Sequence, residues 1–105
     1  MRQFLRFIKA TPTVTGGTAD APWCRRTLVF KTTGSRELII AVTAFGEKRC
    51  KLGDTLTKGQ LCEVDFEVSS REWEDKWFTD VNAIRITSFD KSTEPSEADM
   101  NENSD

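Results

Sequence analysis

Histidine is absent from this chain, and with it the commonest zinc ligand and the commonest general base at neutral pH. Cysteine is scarce. Cys24, Cys50 and Cys62 are odd in number and match no metal or redox spacing, so each is expected to be a small buried hydrophobe. No glycine-rich loop has the spacing that cradles phosphates. Asp65, Glu67 and Asp80 are the carboxylates that could pair as acid and base, but strand-surface carboxylates are usually solvated. Neither an enzyme nor a bound cofactor or metal is expected. No apolar run approaches the roughly 18–20 residues of a membrane span. Residues 1–10 offer only Phe4-Leu5 and Phe7-Ile8 as apolar pairs, too short and interrupted for a secretion signal. A cytoplasmic protein that does not engage membranes is the expectation. Internal repeats are also lacking.

What is present is one domain's worth of chain, 105 residues with 37% hydrophobic and 30% charged. The net charge of −2 hides an asymmetry. Residues 1–89 carry 14 Lys and Arg against 11 Asp and Glu, whereas residues 90–105 carry one Lys against six acids. The last stretch has one Met and one Ala as its only apolar residues. Such a segment cannot bury enough surface to offset its ordering entropy. The expected organisation is a folded, mildly basic domain over 1–89 and a disordered acidic tail over 90–105. The tail resembles a polyanion and is expected to compete weakly for a basic groove, or simply to solubilise the protein.

Within 1–89, strand signals dominate. Residues 2–9 are apolar and basic, and Pro12 and Gly16-Gly17 interrupt them. Residues 23–33 are β-rich around Leu28, Val29 and Phe30, and Gly34-Ser35 marks a turn. Residues 38–45 are almost all apolar or β-branched, the pattern of a strand covered on both faces. Over 46–59 the character changes: Leu52 and Leu56 stand four apart, as on one face of a short helix. Then Cys62, Val64, Phe66 and Val68 alternate with Glu63, Asp65 and Glu67, a strand with one wet face. Glu74-Asp75-Lys76 makes a tight connection to a last strand over 77–86. Three strands, a short helix and two more strands give an all-β, five-stranded OB-fold Greek-key barrel, with the helix between strands 3 and 4.

The second half also carries motifs in a familiar order. Ala41-Val42-Thr43-Ala44-Phe45-Gly46-Glu47, Leu56-Thr57-Lys58-Gly59-Gln60, Val64, Ser70-Arg71-Glu72-Trp73-Glu74-Asp75-Lys76 and Phe78-Thr79-Asp80-Val81 resemble bacterial single-stranded DNA-binding proteins of the OB fold. The match covers about half the chain. Pro22-Trp23-Cys24-Arg25-Arg26 and the last hairpin also resemble short uncharacterised members of the same barrel, a likeness that implies the fold alone. Three features depart from the single-stranded DNA-binding pattern. Ile39 stands where that family usually has Trp, the apolar Pro-Phe tip of its tail is replaced by Asn103-Ser104-Asp105, and its first-strand Gly-x-Leu-x-x-Asp-Pro is missing. The resemblance implies a non-sequence-specific single-stranded DNA-binding protein, assembled as a dimer or tetramer and serving DNA replication or repair. RNA remains open as the polymer.

Unpaired bases expose π faces beside a charged backbone, so a binding barrel needs open aromatics near cations. Trp23, Phe45, Trp73 and Trp77 are the stacking candidates, and Arg25, Arg26, Lys31, Lys48, Arg49 and Arg71 the phosphate candidates. Phe30 and Phe66 are expected in the core. Neutralising about four phosphates would give a log–log salt slope near −3 on single strands. The rival is an OB-fold protein–protein interaction module, since a fold does not fix a function. It gains from the Glu63-Asp65-Glu67 row, which opposes a phosphate track on that strand face.

Overall fold

A computed structural model describes residues 1–94. Its elements follow in the order β1 (Arg2–Ala10), β2 (Val14–Gly17), β3 (Pro22–Thr32), β4 (Ile39–Phe45), α1 (Glu47–Thr55), β5 (Leu61–Trp73) and β6 (Lys76–Ser88). Strand β1 pairs antiparallel with β3 on one edge and with β5 on the other. Strand β5 continues the ring to β6, and β3 continues it to β4. A parallel pairing of β4 with β6, at Thr43 and Asn82, completes the circuit. Five strands thus form the expected OB barrel, with the helix between the third and fourth barrel strands.

The interior is built by alternation. Leu5, Leu28, Phe30, Val42, Leu61, Cys62 and Val64 are completely enclosed. Phe7 meets Phe30 edge-on at 5.7 Å between ring centroids. Burying each large side chain is worth roughly 1.5–3 kcal/mol. Because Leu28 and Phe30 point inward, the period of two sends Trp23, Arg25, Thr27, Val29 and Lys31 outward. Register carries the same phase to β4, where Phe45 lies opposite Arg25 and Thr43 opposite Thr27.

Four local expectations are corrected. Strand β4 is covered on one face only: Val42 and Ala44 are buried, whereas Ile39, Ala41 and Phe45 are exposed. Among the described residues, no layer of structure covers its outward face. Strand β2 was hidden by its glycines. It forms because Gly16 accepts the flat Trp23 ring on the paired strand, where any Cβ would collide with the indole. Leu56 is the extended residue that ends α1 rather than part of its face, and Cys50 is the helix's buried contact. Val68 is exposed, because β5 and β6 run past the barrel as an arm.

A two-residue turn, Glu74 at φ 50° and Asp75 at φ 62°, closes that arm. Two successive left-handed residues match the right-handed twist of the strands they join. Asp90–Glu94, the start of the expected acidic tail, is described as a single 3-10 turn over Lys91–Thr93 followed by Glu94. The Glu94 carboxylate sits 3.1 Å from the Arg6 guanidinium. The remainder of the expected tail, 95–105, lies outside the described residues.

Candidate nucleic-acid interface

The outward faces of β3, β4 and β6, with the base of the β5–β6 arm, form one continuous surface. Its centre is a groove of about 450 Å³ whose lining includes Arg25, Thr43, Phe45, Arg71, Asp80 and Asn82, and also Thr11, Val14, Arg26 and Thr27. Thr43 and Asn82 are the pair that joins β4 to β6, so the groove runs along that join.

Register decides which candidates share this surface. In the arm, Arg71 lies opposite Phe78, Trp73 opposite Lys76 and Ser69 opposite Asp80. These residues, with Asn82, share the outward face. Trp77 lies opposite Glu72 and points to the other side of the arm with Val68 and Thr79. Trp73 and Trp77 are 60% and 68% exposed and lie on opposite sides of the arm.

Five candidates come together on the groove side. Trp23 and Phe45 are each 47% exposed. The Arg25 guanidinium lies 5.6 Å from the centre of the Trp23 ring, which places a cation beside a π face. Gly16 packs against the Trp23 ring, and the remaining exposure of the indole is what a ligand can reach. Arg71 lies 5.5 Å from the Phe78 ring and 3.5 Å from Asp80 through Nε. That ion pair is largely exposed and holds Arg71 only weakly. Trp73 stands further out on the same face.

Other candidates are engaged elsewhere. The Arg26 side chain is only 12% exposed. Its guanidinium donates to Thr11 O at 2.6 Å, to Cys50 O at 3.0 Å and to Asp54 Oδ1 at 3.0 Å, tying α1 to the barrel. Gly53 makes room for it, since a Cβ there would lie 2.7 Å from Arg26 Nη1 and 2.9 Å from the Ala10 methyl. Arg49 donates to Ile84 O at 2.8 Å and to Phe45 O at 3.4 Å, docking α1 on β6. Lys31, at the far end of the outward face of β3, pairs with Glu37 at 3.6 Å. Lys48 lines a second hollow of about 490 Å³ between α1 and β6, with Phe45 and Arg85.

Residues 6–87 match the family described as Domain of unknown function (DUF3127). The chain belongs to that family. No curated protein shows significant similarity to it. Among solved structures, it is similar to the crystal structure of a small single-stranded DNA-binding protein from Streptomyces coelicolor, with 16% identity over 88% of this chain and 94% of that chain, and a TM-score of 0.49. At that score the functional reading rests on the side chains of the DUF3127 domain itself.

The spacing of residues missed Thr27, Thr43, Phe78, Lys76 and Asn82 as parts of this surface. A usable signal was present, because each shares strand parity, through the register, with Arg25, Phe45 or Arg71. Cys50 and Cys62 are buried as expected and stay out of the site's chemistry, whereas Cys24 is only half-buried. Burial pushes the Cys62 thiol up to about 11. Burial and the neighbouring Cys24 push Cys50 up to about 11. Both are therefore thiols, not thiolates, at neutral pH. Among the described residues, no helix is long and apolar enough to cross a membrane.

Proposed function

We propose that the outward face of β3, β4 and β6 binds single-stranded DNA. Bases stack on Trp23, Phe45 and Trp73, and phosphates meet Arg25, Arg71 and Lys76. The observation that supports this most is the sharing of one surface by half-exposed aromatic rings and guanidinium groups around an open groove. A solvated barrel wall gains nothing from leaving such rings uncovered, whereas an unpaired base gains about 1–3 kcal/mol on each. Stacking tolerates any base, so this part of the binding is largely independent of sequence. Arg26 and Arg49 hold the helix in place and are left out of the contact set.

Titration with oligo-dT, followed by tryptophan fluorescence at two salt concentrations, tests the proposal. Quenching by oligo-dT and not by duplex is expected. With about three phosphates neutralised, the log–log salt slope should lie near −2 on single strands, shallower than sequence inspection alone suggests. A flat trace sinks the proposal. An oligo-rU arm decides between the two polymers. Assembly into a dimer or tetramer is the second part of the proposal. It draws support from Trp77 and Val68, which leave apolar surface open on the side of the arm facing away from the groove.

A further inference from the structure

Stacking and phosphate contact account for the rings and the cations of the groove but leave one of its walls unexplained. Asp80 places a carboxylate inside a groove proposed to hold a polyanion. Its side chain is 47% exposed, and its Oδ2 lies 3.5 Å from Arg71 Nε. A pure backbone track would work better without it. An ionised carboxylate accepts hydrogen bonds and donates none, so its natural partner is a ligand edge rich in N–H groups.

The four DNA bases differ on that point. Guanine alone presents two adjacent donors on its Watson–Crick edge, N1–H and the N2 amine, spaced for the two oxygens of one carboxylate. Cytosine and adenine offer one amine beside an acceptor nitrogen, which would oppose a carboxylate lone pair. Thymine offers one N3–H between two carbonyls. Single strands are open to such reading because their Watson–Crick edges are unpaired. Beside Asp80, Asn82 and Thr43 supply donors for guanine O6, and Phe45 supplies a wall to stack on. The groove, at about 450 Å³, falls within the range of small-ligand clefts.

We propose that this groove takes one guanine base, with Asp80 reading its N1–H and N2 amine. The inference rests on the single-stranded DNA reading of the same face and adds a base preference at one position.

The test uses the full chain and fluorescence anisotropy with labelled dT oligomers of about 12 nucleotides. Each carries a single central dG, dA, dC or deoxyinosine. The dG oligomer should bind roughly five- to tenfold tighter than all-dT, the low end for a two-bond base contact because the site is open. Deoxyinosine keeps N1–H and loses the N2 amine, so it should forfeit most of that gain. Asp80→Asn should abolish the dG advantage, so that the variant binds the dG and all-dT oligomers within about twofold of each other. Equal affinity for all oligomers overturns the guanine inference while the binding face stands. An Asp80→Asn variant that weakens every oligomer alike also overturns it, because Asp80 would then only position Arg71. Absence of binding to any oligomer overturns the binding face as well. The deoxyinosine comparison needs no variant protein, so it is independent of any effect on folding.

Discussion

Arg25 and Arg26 are neighbours in the chain and opposites in the molecule. Arg25 faces outward beside the Trp23 ring. Arg26, on the inward phase of β3, is nearly enclosed and bonded to two main-chain carbonyls and one carboxylate. A pair of basic residues next to a tryptophan therefore divides into one group free to meet a ligand and one that holds a helix. The period of a strand makes that division, and the two faces of β3 should respond differently to every perturbation.

The largest difference is in stability. Arg26→Ala removes the side-chain donor to two partly buried carbonyls, Thr11 O and Cys50 O, and should cost about 2 kcal/mol, or roughly 10 °C in Tm. Arg25→Ala should stay within about 0.5 kcal/mol of the parent and weaken oligo-dT binding. Thermal melts with binding isotherms on the folded protein check both, and equal melts for the two variants would break the comparison.

The next effect extends the same logic to the arm. Trp73→Ala should weaken oligo-dT binding by about 1–3 kcal/mol, the worth of one stack. Trp77→Ala, on the reverse side, should leave that affinity unchanged and lower the assembled mass seen by light scattering. Equal losses of affinity would show that the arm does not separate the two rings.

The remaining effect is confined to high pH and concerns the inward residues Cys50 and Cys62. Their folded values, about 11, stand above the ordinary 9.0, so folding favours the protonated thiols. That contribution is complete below pH 9 and is lost as pH climbs through 11. Tm should decline across this interval in the parent and decline less steeply in Cys62→Ala.

Much of the barrel was legible in the sequence. The alternation from Cys62 to Phe66, the punctuation at Gly34-Ser35 and the polar Glu74-Asp75 each have a local cause, and each lies where it was expected. The site was legible by residue type and less so by arrangement. Trp73 and Trp77 look equivalent on paper. A two-residue turn sets them on opposite sides, which follows once Glu74 and Asp75 are both left-handed. Arg26 could have been assigned inward from Leu28 and Phe30, two and four residues on. Arg49 could not, since its acceptor, Ile84 O, is 35 residues away and depends on how the helix docks. Strand β2 escaped notice because glycine weakens a strand signal, and here glycine is what the indole requires.

The meeting of β4 and β6 gives the groove a mechanical meaning. Four of the barrel's joins are ladders of several paired residues, but this one registers at Thr43 and Asn82 alone. Both side chains line the cleft above it. A nucleotide strand lying across Phe45 on one bank and Arg71 on the other would act as a clasp over the cylinder's thinnest seam. Occupancy would then resist local opening where the wall is most ready to part.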